Sequence, residues 1–133
     1  MKWLCQTMRW QVLLPKESHL RLKDRPHMSV SFRRFEILLP LKFNDGQPVP
    51  GELVADTLLG IEDRFGAVSW ETQTIRGSWR YAGDSFRDEP VRVFVDAPDS
   101  PDSRDFFVDF KERLKARFRQ LDIWTTTYPI EVL

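Results

Sequence analysis

The stretch EPVRVFVDAPDSPDSRDFFVDFKERLKARFRQL, residues 89–121, sets a strand pattern directly before a helix pattern. Val91, Val93 and Val95 recur at every second position, which is typical of a strand with one buried face. The opposite face of this strand includes Phe94, so neither face is wholly polar. The sequence therefore predicts a strand that belongs to a sheet and is followed at once by a helix.

The helix that follows, over residues 100–121, carries both a start signal and an apolar stripe. Ser100 is a candidate N-cap, and Pro101 suits the first helical position. Large apolar residues recur with the spacing of one helix face: Phe106, Phe110, Leu114 and Phe118. This face is predicted to pack on the sheet.

The alternating pattern of a strand and the apolar spacing of a helix also occur earlier in the chain. Residues 33–43 alternate as a strand, and the apolar members of one face are Phe35, Ile37, Leu39, Leu41 and Phe43. Residues 50–66 have helical spacing, with a stripe of Val54, Leu58, Ile61 and Phe65. A second strand is predicted from Ala67, and a last one over residues 121–133.

The stretch after Ala67 changes the side on which its apolar residues fall. Val68 and Trp70 share one face, whereas Trp79 and Tyr81 have the opposite parity. One long bent strand would need a β-bulge, which we expect near Gly77. Two short strands, or a separate small hairpin at residues 75–87, are the alternatives.

The order strand, helix, strand, strand, helix, strand predicts an α+β fold. Right-handed crossovers then give a ferredoxin-like βαββαβ sandwich, a four-stranded antiparallel sheet with both helices on one face. A long bent hairpin is expected between strands 2 and 3. Residues 28–133 are predicted to form this single domain.

Residues 1–27 differ from the rest in charge. They hold six Lys or Arg residues against two acidic ones, whereas the whole chain has a formal net charge of zero. We expect a basic N-terminal arm that is either disordered or upstream of the true start. Because the net charge is zero, no nucleic-acid partner and no membrane partner is predicted.

Missing residue types exclude several chemistries. Residues 28–133 contain neither His nor Cys, which removes Cys–His and Ser–His–Asp catalysis and thiolate or imidazole metal sites. No Gly-rich phosphate loop occurs. No cofactor, no metal and no catalytic residue is therefore predicted. These missing residue types favour a protein that is not an enzyme over one that is. The one cysteine, Cys5, permits no internal disulfide and favours a cytoplasmic protein.

Four carboxylates recur at three-residue steps between the last valine strand and its helix: Asp96, Asp99, Asp102 and Asp105. Oxygen ligands of this kind can hold Mg²⁺ or Ca²⁺. The alternative, which we favour, is a strand-to-helix loop whose acidic residues suit the positive end of the helix dipole.

The sheet face opposite the helices is the candidate interaction surface. Apolar side chains such as Leu38 and Phe94 are expected on it, and a contiguous apolar patch on a small domain usually marks an interaction site. The candidate binding residues are Glu71, Arg76, Arg80, Arg92, Phe94, Trp124 and Tyr128. We predict a binding or assembly domain that forms a homo-oligomer, or binds a protein partner, through this face. One alternative is a small-molecule sensor or enzyme with a carboxylate–arginine pocket formed by Glu71, Arg76 and Arg92. Another is that residues 1–27, which are apolar at 10–14, cover this face by adding a strand.

Several stretches also carry a family resemblance: FEILLPLKFNDG, FGAVSWETQTIRGSW, RVFVDAP and IWTTTYPIEVL. Over about residues 33–133 the chain resembles a family of short, uncharacterised bacterial proteins. The resemblance implies a folded bacterial domain, and it transfers no catalytic residue because no activity is established for that family.

Overall fold

The computed structural model describes residues 30–133, and the basic arm predicted over residues 1–27 lies outside the described residues. The described part contains six strands and two helices in this order: β1 Phe32–Leu39, α1 Gly51–Phe65, β2 Ser69–Trp70, β3 Gly77–Tyr81, β4 Asp84–Asp88, β5 Val91–Pro98, α2 Pro101–Arg117 and β6 Thr125–Ile130. Neither of these helices is long and apolar enough to cross a membrane.

Four strands form the main sheet in the order β2-β5-β1-β6, and each neighbouring pair is antiparallel. The first strand therefore lies in the middle, where Phe35 faces Val95 on one side and Thr127 on the other. Both helices pack on the same side of this sheet, because their buried residues and those of β1 and β5 form one core cluster. The predicted ferredoxin-like α+β fold is confirmed.

The core lies between the sheet and the helices. Phe35, Ile37, Leu39 and Val93 are each at most 2% exposed. The helices contribute five large buried residues to this core, Ile61, Phe65, Phe107, Phe110 and Leu114, and Phe118, the C-cap residue directly after α2, adds another. Since side chains alternate along a strand, the intervening residues of β1 and β5 project to the side away from the helices.

The start of α2 is as the sequence predicts. The Oγ atom of Ser100 accepts a hydrogen bond from the backbone N–H of Ser103 at 3.2 Å, and Pro101 is the first helical residue. The buried stripe of α2 differs from the predicted stripe at one position, since Phe107 is buried and Phe106 packs at the margin of the core. Phe107 stacks on Phe35 of the central strand with ring centroids 4.2 Å apart, which is why it occupies the core position.

The hairpin between β2 and β5 forms a two-stranded sheet of its own. Residues 71–76 belong to no strand, so β2 does not continue through a bulge, and the predicted bulge near Gly77 is wrong. The side chains at 71–74 are all polar, so no buried face holds this segment in the main sheet. The separate small hairpin, one of the alternatives from the sequence, is what forms.

Two contacts stabilise this hairpin. Trp79 of β3 faces Phe86 of β4, and their rings stack with centroids 4.4 Å apart. Trp79 Nε1 also donates a 2.6 Å hydrogen bond to Oδ2 of Asp88. The two strands are joined by Ala82 and Gly83, with φ of 50° and 85°, and positive φ at both central residues is typical of a type I′ turn.

Candidate functional site

The sheet face that points away from the helices is called the open face here. It carries alternate residues of the three longest strands, and they include these eight: Arg34, Glu36, Leu38, Arg92, Phe94, Asp96, Thr126 and Tyr128. Trp124 lies at its margin, where its carbonyl oxygen accepts a 3.0 Å hydrogen bond from the N–H of Leu38. All eight side chains come from β1, β5 and β6, so the sheet itself fixes their spacing.

The first feature of the open face is a cation placed over an aromatic ring. Arg34 donates two hydrogen bonds to Asp96, Nε to Oδ1 at 2.7 Å and Nη2 to Oδ2 at 2.9 Å. Its guanidinium carbon also lies 4.7 Å from the ring centroid of Phe94. The hydrogen bonds to Asp96 raise the pKa of Arg34 above its ordinary value, so this side chain keeps its charge. The guanidinium helps to half-bury Phe94, although neither helix of residues 30–133 covers this face.

The second feature is a row of polar contacts that crosses all four strands. The hydroxyl of Tyr128 donates a 2.7 Å hydrogen bond to Oε1 of Glu36. Arg92 lies between two carboxylates, with Nε 3.9 Å from Oε2 of Glu36 and Nη1 3.2 Å from Oε1 of Glu71. The Nε atom of Arg92 is buried without a hydrogen-bond acceptor among the described residues, because 3.9 Å is too long for a hydrogen bond.

The hydrogen bond to Glu36 also changes the titration of Tyr128. It raises the pKa of Tyr128 above the ordinary tyrosine value, with desolvation and the charge of Glu36 acting in the same direction. Loss of the phenolic proton would remove the donor and place a second negative charge beside the carboxylate. Tyr128 therefore stays protonated and holds β6 to β1 through its side chain.

The structure brings together four of the predicted binding residues. Arg92, Phe94 and Tyr128 lie on the open face, and Glu71 joins them through its ion pair with Arg92. Trp124 lies at the margin with 65% of its surface exposed.

Two predicted residues lie elsewhere, on or beside the hairpin. Arg80 is exposed on the hairpin and faces Ser85. Arg76 lines a cleft beside the hairpin, and no ion pair among residues 30–133 joins it to Glu71. Of the predicted carboxylate–arginine pocket, only the Glu71–Arg92 pair forms.

Two residues of the open face were missed as binding candidates, Arg34 and Asp96. Arg34 and Asp96 occupy alternate positions of their strands that lie on the same face as Phe94, and this alternation can be seen in the sequence. The strand register, which sets Arg34 directly opposite Asp96, was not available.

The acidic stretch before α2 uses its first two carboxylates to hold arginines. Asp96 pairs with Arg34, and Oδ2 of Asp99 lies 3.5 Å from Nη1 of Arg33. Within residues 30–133, no group of three His, Cys, Asp or Glu side chains lies close enough together to hold a metal ion. This geometry agrees with the interpretation of the stretch as a strand-to-helix loop.

Two clefts flank the hairpin. The apolar cleft, of about 710 Å³, lies between the hairpin and the segment after α2, and Trp79, Tyr81 and Trp124 contribute to its walls. The polar cleft, of about 620 Å³, lies between the hairpin and residues 40–46. Both clefts are large enough to bind a small molecule.

Comparison with known proteins gives similar structures but no sequence relative. No family model matches the chain, and no curated protein matches it by sequence. A CutA1 divalent cation tolerance protein from Thermus thermophilus is 16% identical, with 76% of this chain and 85% of that chain covered and a TM-score of 0.52. CutA1 from Oryza sativa is 13% identical, with 77% and 83% covered and a TM-score of 0.53.

A third similar structure is a phage SAM lyase in complex with S-methyl-5′-thioadenosine. It is 16% identical, with 77% of this chain and 91% of that chain covered and a TM-score of 0.55. The chain shares the fold of these proteins. Identities this low show the fold alone, so the resemblance to short bacterial proteins stays a prediction, and the role of the chain is argued from its own residues.

Proposed function

We propose that the protein is a small binding and assembly domain that self-associates through the open face. The observation that carries this proposal is the set of apolar side chains on a face that both helices leave uncovered. Leu38 and Phe94 are half-buried at its centre, while Tyr128 is 41% exposed. A second copy packed sheet to sheet would remove these side chains from water.

The charges of the open face support this proposal because they are paired within the chain. Arg34 is held by Asp96, and Arg92 lies between Glu36 and Glu71. Burying a charge that has a partner costs much less than burying a lone charge. A second copy could also supply the acceptor that the Nε atom of Arg92 lacks.

Other features favour a binding role over catalysis. Residues 28–133 contain neither His nor Cys, and the single Cys5 favours a cytoplasmic location. The CutA1 proteins are named for divalent cation tolerance. We do not extend a cation-binding role to this chain, because Asp96 and Asp99 bind arginines and so offer no free carboxylate cluster.

Light scattering on the purified full chain tests the proposal. We expect a dimer at micromolar concentration, and we expect Phe94→Glu to give a monomer because it puts a charge at the centre of the interface. The control is Val108→Glu, which changes a side chain that is 60% exposed on α2 and should leave the dimer intact. A monomeric unmutated protein would overturn the proposal.

A second variant guards against a folding defect in Phe94→Glu. Thr126→Arg adds bulk at the centre of β6 on the open face and removes no apolar contact from the core. Circular dichroism and thermal melting check that each variant is folded. A folded Thr126→Arg protein that remains dimeric would place the interface elsewhere and contradict the proposal.

A further inference from the structure

We propose that the groove beside the β3–β4 hairpin binds a planar aromatic molecule that carries a negatively charged group. The apolar and polar clefts share Pro40, Gly77 and Asp88 in their walls, so they adjoin at these residues, and the two clefts together are called the groove here. Their volumes, about 710 and 620 Å³, are each within the range of small-molecule sites. The groove meets the open face only at Leu38 and Trp124, and this proposal does not depend on self-association.

The apolar end offers aromatic surfaces at fixed positions. Trp79 is held by its hydrogen bond to Asp88 and by its stacking on Phe86. Tyr81 and Trp124 line the same end with 59% and 65% of their surfaces exposed. Exposed aromatic side chains around a concave space are the surfaces that an aromatic ring covers by stacking.

The charged side chains of the apolar end are occupied. Lys115 donates to Glu112 at 3.2 Å, and Asp122 pairs with Lys111 at 2.9 Å. The hydrogen bond from Lys111 lowers the pKa of Asp122, so this carboxylate stays ionised and paired. This end therefore favours an uncharged ring.

The polar end carries the excess of positive charge. Lys42, Arg76 and Arg87 line it, and no ion pair among residues 30–133 involves any of the three. The acidic residues at this end are Asp88 and Glu89, and one oxygen of Asp88 already accepts the indole N–H of Trp79. Because three cations face two carboxylates, a carboxylate, sulfonate or phosphate is the complementary group.

Two fluorescent probes that differ by one charge test the proposal. 1-Anilinonaphthalene-8-sulfonate has the ring system of N-phenyl-1-naphthylamine together with a sulfonate. We expect both probes to bind and to brighten, with a dissociation constant about tenfold lower for the sulfonate, a modest effect for one charge-assisted contact. Equal affinities, or no binding of either probe, would overturn the proposal.

Variants at the two ends should separate the two contributions. In the double variant Arg76→Gln with Arg87→Gln, we expect the sulfonate probe to bind no better than the neutral probe, whose affinity is unchanged. In Trp124→Ala, both probes should bind more weakly. The matched controls are Arg104→Gln and Trp70→Ala, which change exposed residues away from the groove and should change neither affinity. Unchanged sulfonate binding in the double arginine variant would contradict the proposed position of the anion.

Further binding experiments identify the class of anion and show whether this site is independent of the open face. Adenosine 5′-monophosphate compared with adenosine, and 1-naphthoate compared with naphthalene, distinguish a phosphate from a carboxylate by the shift in melting temperature. We expect the charged member of at least one pair to raise the melting temperature more than its neutral partner, and equal shifts in both pairs would contradict the proposal. Phe94→Glu should leave binding of both fluorescent probes unchanged, because Phe94 does not line the groove.

Discussion

The hydroxyl of Tyr128 donates a 2.7 Å hydrogen bond to Oε1 of Glu36 across the β6–β1 pair. The two residues are diagonal neighbours, since Glu36 faces Thr126 and Tyr128 faces Arg34. This bond is the main reason that the pKa of Tyr128 is raised, and Arg34 acts in the opposite direction. The protonated phenol and the ionised carboxylate therefore favour each other on the open face.

The raised pKa of Tyr128 predicts how its contribution to stability depends on pH. The contribution is fully present below the unfolded tyrosine pKa of about 10, and it is lost as the pH rises through the higher pKa of the folded state. The chain has two tyrosines, so phenolate absorbance in a Tyr81→Phe background reports Tyr128 alone. Adding Glu36→Ala should move the titration midpoint down towards about 10. A midpoint that does not respond to Glu36→Ala would show that the hydrogen bond is not the cause.

The aromatic core predicts unequal effects for two neighbouring phenylalanines. Phe107 stacks between Phe35 and Phe65, with centroid distances of 4.2 and 5.3 Å, and it is 3% exposed. Phe107→Ala should lower the free energy of unfolding by about 3–5 kcal/mol, because it leaves a cavity in the centre of the core. Phe106→Ala should cost clearly less, since Phe106 lies at the margin. Urea unfolding measures both, and equal losses would contradict this assignment.

These two residues also show how far the periodicity of a sequence predicts a core. The strand and helix patterns locate β5 and α2 because alternation and helical spacing are local properties. Phe106 and Phe107 both fit an apolar helical stripe, which is wide enough to include either. The position of Phe35 in the central strand selects Phe107, and that position follows from the sheet order, which local periodicity does not specify.

In the candidate site, too, local patterns predict some positions, while others depend on tertiary structure. Strand parity sets Arg92 and Phe94 on one side of their strand and proposes Tyr128 or a neighbour beside them, and in the structure Tyr128 lies on that face. The sequence places Arg76 beside Glu71 and Arg92, but residues 71–76, which belong to no strand, lead the chain into the separate hairpin, where Arg76 lines the polar cleft. The direction of a segment outside the sheet depends on tertiary contacts, which is why parity failed there.

The hairpin turn offers a site for stabilisation. Ala82 has a φ of 50°, a left-handed conformation that costs a residue with a Cβ roughly 1–2 kcal/mol. Ala82→Asn should relieve part of this cost, because Asn favours the first central position of a type I′ turn. We expect slower amide hydrogen exchange in β3 and β4, which reports local opening of the hairpin.

The control for the turn is the same substitution in a helix. Ala116 is exposed in α2, where Asn is less favourable than Ala by about 0.5 kcal/mol. Ala116→Asn should therefore lower stability while Ala82→Asn protects the hairpin. Faster exchange in β3 and β4 of Ala82→Asn would show that the turn does not need a residue that tolerates positive φ.

The Arg34–Asp96 pair should contribute more than an ordinary surface ion pair. Its two hydrogen bonds fix the guanidinium over Phe94, and the two side chains are 32% and 26% exposed. A double-mutant cycle with Arg34→Met and Asp96→Asn isolates the coupling, which we expect at about 1 kcal/mol, the upper end for such pairs. Raising the salt concentration should reduce it only in part, because the pair is half-buried.

The matched comparison is the Glu112–Lys115 pair on α2, whose carboxylate is 66% exposed. A cycle with Glu112→Gln and Lys115→Met should give about 0.3–0.5 kcal/mol at low salt, and this coupling should fall towards zero at high salt. Two bonds between planar groups restrict Arg34 to one geometry, whereas Lys115 donates to both oxygens of Glu112 from one nitrogen at the end of a flexible side chain. If both cycles gave the same coupling and the same response to salt, the ordered cation over Phe94 would have no energetic basis, and the half-burial of that ring would need another cause.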